Sequence, residues 1–234
     1  MKKTALILAA LVAGASLSAQ TPAAPAPAPA APAYTITTDF TYTTKYVFRG
    51  VQFATGAAQP TLKLAAGDFY ASIWGSMPLS RGYELEFDYT AGYGFKLADG
   101  WNVDTGLTVY TYPGLSSGDK ATYEGFVGVN GTVGVLSTGT YAYYDFTLKA
   151  FTMQEALGYS ITIDPKTSVN ITATLGYVSP DAGSSYTYYG LGVTVPYKIT
   201  DAATFTAGVQ YASHNISGLD DNHFWGTVGL TYVF

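Results

Sequence analysis

The side chains of this sequence that could do chemistry are few and widely spaced. Lys45, Arg49 and Lys63 come early, Glu84, Glu86, Asp88, Asp104 and Glu124 follow, and the only histidines, His214 and His223, come last beside Ser213, Ser217, Asp220 and Asp221. Bases facing acids across a water-filled space set up a transverse field that orients passing polar solutes. Across a narrow space the same groups would pair and fill it. A serine beside a histidine raises hydrolysis, and two histidines with two aspartates raise a bound metal ion. Adjacency in a loop does not hold a nucleophile against a base, so both histidines read as exposed loop residues. No catalytic residue, metal ligand or cofactor is assigned. There is no phosphate-binding loop and no basic surface for nucleic acid, and the formal charge of -5 points the same way.

The elements that must position these groups alternate with a period of two, the signature of strands with two different faces. Tyr83, Leu85, Phe87, Tyr89, Ala91, Tyr93 and Phe95 fall on one face. Glu84, Glu86, Asp88, Thr90, Gly92, Gly94 and Lys96 fall on the other. The pattern returns in Trp101, Val103, Leu107 and Val109, in Val169, Ile171, Ala173, Leu175 and Tyr177, and in Phe205, Ala207, Val209 and Tyr211. In the first strand Phe40, Tyr42, Tyr46 and Phe48 share the apolar face, leaving Asp39, Lys45 and Arg49 opposite; in the second, Leu62 and Leu64 leave Lys63 opposite. The charges thus keep to one parity. If the apolar parity meets lipid, an ionisable group there costs roughly 2–4 kcal/mol for Lys or Arg near the bilayer centre, which sends the charges inward.

Counting such segments from Tyr34 onward predicts about twelve strands of the length that crosses a bilayer when tilted. The predicted fold is all-β: a transmembrane antiparallel up-and-down β-barrel over residues 34–234. Short turn signals lie at Ala66-Gly67-Asp68, Ala98-Asp99-Gly100, Asn130-Gly131, Asp164-Pro165-Lys166 and Thr200-Asp201. Longer links fall between them, at Phe53 to Ala58, Met77 to Gly82, Pro113 to Lys120, Ser179 to Ser185 and Ser213 to Asn222. Short turns at one end and long loops at the other are the habit of bacterial outer-membrane barrels. Alternation is poor between Gly134 and Ile161, where a strand boundary is expected near Leu148 to Ala150. Pro196 cannot donate a ladder hydrogen bond and is expected at the periplasmic rim.

Composition supports this class. The chain is 48% hydrophobic and 12% charged, with 21 tyrosines, 26 glycines and no cysteine, so stability must come from strand pairing without disulfides. Lys2 and Lys3 before an apolar run predict a signal peptide over residues 1–19, too short for a spanning helix, which needs roughly 20 apolar residues. An Ala/Pro-rich spacer over 20–33 is expected to run through the periplasm. The last segment alternates to Tyr232 and Phe234, and an aromatic at the final position of a C-terminal strand resembles the signal read by the outer-membrane assembly machinery.

Three further stretches, Tyr46-Val47-Phe48-Arg49-Gly50, Phe69-Tyr70-Ala71-Ser72-Ile73-Trp74-Gly75-Ser76 and Glu84-Leu85-Glu86-Phe87-Asp88-Tyr89-Thr90-Ala91-Gly92-Tyr93, resemble the TorF-like family of outer-membrane porins in order and spacing. The motifs cover the first third of the predicted barrel. After Gly50 the family carries a Ser-Gln-Thr element, where this chain has Gln52-Phe53-Ala54. The resemblance implies an outer-membrane barrel surrounded by lipid and acting as a passive channel for small polar solutes. Lys45, Arg49 and Lys63 against Glu84, Glu86, Asp88, Asp104 and Glu124 are the pore-lining candidates.

Overall fold

The computed structural model describes residues 34–116, 118 and 120–234. The expected signal peptide and Ala/Pro spacer lie outside the described residues. Twelve strands follow one another: β1 (Thr35–Phe48), β2 (Val51–Ala66), β3 (Phe69–Pro78), β4 (Glu86–Ala98), β5 (Trp101–Thr111), β6 (Ala121–Val133), β7 (Leu136–Asp145), β8 (Ala150–Thr162), β9 (Ser168–Pro180), β10 (Tyr186–Lys198), β11 (Ala203–His214) and β12 (Asn222–Val233). Each pairs antiparallel with its sequence neighbours, and β1 pairs β12, so the sheet closes into an up-and-down barrel without a free edge.

The barrel is inverted relative to a water-soluble protein. Phe40, Leu62, Tyr89, Leu107, Leu175 and Leu230, taken from strands around the whole circumference, are all exposed, while Glu86, Asp104 and Glu124 are buried. An apolar band of this extent belongs against hydrocarbon. Connections at the end holding Gly67-Asp68 and Asp99-Gly100 are short. The opposite end carries loops 79–85, 112–120 and 215–221.

The structure differs from the sequence reading at definite places. Asn130-Gly131 is no turn: Gly131 lies within β6 opposite Trp101, where an added Cβ would sit 2.6 Å from the indole ring, so this glycine serves a close approach. The turn comes at Gly134-Val135, with Gly134 at φ 63°. Phe53 to Ala58 is no loop but part of β2, and the reversal occurs earlier, at Arg49-Gly50. Pro196 does sit near the short-turn end of β10, just beyond Thr194, the last residue of the β9–β10 ladder. One carboxylate breaks the parity rule. Glu155, midway along β8, shares the outward face of Met153 and Leu157 and accepts hydrogen bonds from the Thr138 and Thr140 hydroxyls. Those two donors satisfy it locally.

Candidate functional site at the barrel mouth

Residue 43 is where the wall parts. β1 pairs β12 only from Thr37 to Thr43, and β2 pairs β3 only from Ala57 onward, so the tip of the β1–β2 hairpin has no strand beside it. A bulge at Tyr46/Val47 twists it further. The tip folds inward. A Cβ on Gly50 would lie 2.8 Å from Tyr188 Cβ and 3.1 Å from His214 Cβ, placing the hairpin turn against β10 and β11 on the far side of the opening. Tyr46 packs on the inward Trp74, with ring centroids 5.3 Å apart, and Phe48 on Tyr110 at 6.1 Å. Tyr46 and Phe48 therefore do not face lipid as the alternation predicts, because the chain leaves the sheet before their parity can apply.

Arg49 fixes the tip. Its Nη1 and Nη2 donate to Glu124 Oε2 and Oε1 of β6, each at 2.8 Å, and Tyr110 donates to Glu124 Oε1 at 2.9 Å. The guanidinium is sandwiched 4.7 Å from the Phe48 ring and 4.8 Å from that of Tyr143. Strands β1 and β6 are not neighbours, so this bidentate pair spans the interior. Arg49 also stands at φ 49° and Gly50 at φ 83°, the left-handed geometry of a two-residue type I′ turn. For arginine that conformation costs about 1–2 kcal/mol, which the ion pair offsets.

Deeper inside, Asp104 accepts from Tyr70 at 3.0 Å and from Tyr141 at 3.1 Å, linking β3, β5 and β7. Lys63 lies 4.9 Å from the centroid of the same Tyr70 ring. Tyr188 donates to Gln154 at 2.6 Å. Three of these tyrosines lie flat on the wall over cross-strand glycines: Tyr70 on Gly92, Tyr141 on Gly128 and Tyr188 on Gly176. Each glycine makes room for a ring that would otherwise project toward the barrel axis.

The other predicted residues are dispersed. Glu86 is buried near the Tyr46 and Tyr112 hydroxyls, Asp88 lies beside it, Glu84 stands exposed in the β3–β4 loop, and Lys45 lies on β1 within electrostatic reach of His223. Of the proposed bases and acids, a side-chain ion pair joins Arg49 to Glu124 across the interior, while Lys63 lies over the Tyr70 ring whose hydroxyl donates to Asp104. The Tyr232 and Phe234 rings lie 4.7 Å apart, tilted at 59°, on the outward face at the short-turn end, and the Phe234 amide donates to Ile36 O at 2.9 Å.

A family profile described as "Bacterial protein of unknown function (Gcw_chp)" matches residues 27–230. The chain belongs to that family. The description gives the Gcw_chp family no activity and does not carry the TorF designation. No curated protein matches this Gcw_chp chain in sequence. Among solved structures it is similar to the KdgM porin (TM-score 0.58, 14% identity, covering 86% of this chain and 99% of that one). The NanC porin gives a TM-score of 0.56 at 15% identity, covering 84% and 98%. An outer membrane channel from Pseudomonas putida gives 0.55 at 11%, covering 86% and 95%. At these identities the likeness is one of fold.

The histidines of this Gcw_chp barrel correct the sequence reading. His214 ends β11 and His223 is the second residue of β12; both are only 4% exposed, with ring centroids 6.1 Å apart beneath the inserted hairpin. They are not exposed loop residues, because both strands run further than the Gly, Asp and Asn signals of the intervening loop suggest. His214 Nδ1 accepts the Ile216 amide at 3.1 Å. Among the described residues the Nε2 atoms of both histidines have no hydrogen-bond partner, so neither Ser213 nor Ser217 is bonded to them. Sequence reasoning also missed the inward tyrosines and Trp74, whose only signal was their position on the polar parity.

Proposed function

We propose that this protein is a channel of the bacterial outer membrane, passing small hydrophilic solutes and favouring cations, with its opening bounded by the β1–β2 hairpin. The observation that carries this reading is the distribution of polarity: an apolar belt outside, and inside it Glu86, Asp104, Glu124 and Asp145, all buried carboxylates, against an arginine already committed to one of them. Carboxylates that outnumber fixed cations attract cations and repel anions along a narrow path. Asp88, Glu84, Lys45 and Lys63 complete the proposed lining.

The fold supports the reading, since the barrel spans nearly the whole of two porins and a channel. The KdgM porin has been solved with disordered oligogalacturonate, an acidic sugar. The acidic excess here favours solutes of the opposite charge. A leader over residues 1–19, a spacer over 20–33 and a barrel over 34–234 complete the proposal, with Tyr232 and Phe234 presented to the assembly machinery and the apolar belt to outer-membrane lipid. The TorF-like porins remain the proposed finer affiliation. No enzymatic activity is proposed.

The test is conductance of the refolded protein in planar bilayers under a salt gradient. Stepwise currents with a reversal potential on the cation-selective side are expected, and an anion-selective reversal would overturn the stated preference. The Arg49–Glu124 pair across the interior favours a second reading, a plugged structural barrel. Absence of any current steps, in the parent and in a variant lacking the pair, would establish that one instead.

A further inference from the structure

Beside the hairpin tip lies a small cup of about 230 Å³, which shares Glu84 and Glu86 with the proposed channel lining. Tyr46, Phe53, Tyr83 and Tyr112 bring aromatic rings to it from β1, β2, the β3–β4 loop and the segment after β5. Glu84 and Glu86 bring carboxylates. The Tyr46 and Phe53 rings stand 5.6 Å apart at 39°, so they form two inclined walls. Glu86 is 5% exposed, held near the Tyr46 and Tyr112 hydroxyls. No lysine or arginine lines the cup: Arg81, next to the lining Gly82, is exposed and outside the lining, and Arg49 is turned away to Glu124.

We propose that this cup binds a small organic cation bearing an alkylammonium group. Two carboxylates without a basic partner exclude anions. Ring faces carry negative potential but offer poor solvation to a compact, strongly hydrated ion such as sodium, so they select a soft ammonium with methyl or methylene groups around the charge. The volume excludes anything approaching the roughly 300–1,000 Å³ of drug-sized pockets. Its place at the mouth, on the side of the longer loops, makes it a first station for a solute approaching the barrel. That last point rests on the channel reading; binding itself does not.

The experiment uses the full barrel in detergent micelles, with choline and its neutral isostere 3,3-dimethyl-1-butanol as probes, read by titration calorimetry and by fluorescence of Trp74, which packs on Tyr46. Saturable binding of choline, with the neutral isostere about tenfold weaker, is expected. Glu84→Gln, in an exposed loop and outside every strand, should weaken choline about tenfold while leaving the circular dichroism of the barrel unchanged; Tyr83→Leu should act in the same direction. Equal binding of the two probes, no saturable choline binding, or unaltered binding by Glu84→Gln would each overturn the proposal. Bilayer conductance is scored separately: a barrel that conducts without binding choline loses only this inference, and one that binds choline without conducting loses only the channel.

Discussion

Removing Glu124 should open the mouth. In Glu124→Ala the Arg49 guanidinium, 13% exposed, would lose both 2.8 Å hydrogen bonds and remain as a charge in a largely desolvated site. Breaking a buried pair in this one-sided way costs about 3–5 kcal/mol. The left-handed conformation at Arg49 acts in the same direction, because a released tip sheds about 1 kcal/mol of strain. Taking the lower figure, about 3 kcal/mol, the equilibrium between docked and released hairpin moves by roughly 150-fold. The barrel itself should survive, since Thr37–Thr43 keep their pairing with β12 and the tip lies outside that ladder. Single-channel recording should show a larger and noisier current. A double-mutant cycle with Arg49→Ala should give a coupling energy of about 2 kcal/mol or more in the open-state population, because the second deletion removes the stranded charge. Identical currents in parent, single and double variants, or strictly additive effects, would refute the view that this pair holds the constriction.

Other perturbations separate docking, wall and lipid effects. Gly50→Val should release the hairpin without touching the ion pair, since its Cβ would strike Tyr188 at 2.8 Å and valine resists φ 83°; increased conductance is the readout. Gly128→Ala should push Tyr141 off the wall and away from Asp104, lowering unfolding free energy in urea by about 1–3 kcal/mol, while Gly226→Ala, whose nearest atom would be 3.8 Å away, should be neutral. Glu155→Leu should raise folding stability in lipid vesicles by about 1 kcal/mol, because it removes an ionisable group from the mid-span lipid face. A loss of stability there would show that the threonine–carboxylate cluster is needed for the wall.

The belt was legible in the sequence because lipid judges every residue within it. A one-residue slip in β4 would exchange Tyr89 and Phe95 for Asp88 and Lys96, so alternation, strand count and most turns could be read without knowing the pairing. Glu155 escaped notice because its compensation, Thr138 and Thr140, comes from the neighbouring strand. Above the belt no such constraint acts. Tyr46 and Phe48 continue the same parity as Phe40 and Tyr42, but only β12 could hold them to the wall, and its pairing ends at Thr43. What replaces it is a set of partners far away in sequence: Trp74, Tyr110, Glu124 and Tyr188. Two residues marked as lipid-facing by pattern therefore become part of the inward-folded tip. Arg49, in the turn beyond β1, is the clasp to Glu124 that brings those aromatic residues in with it.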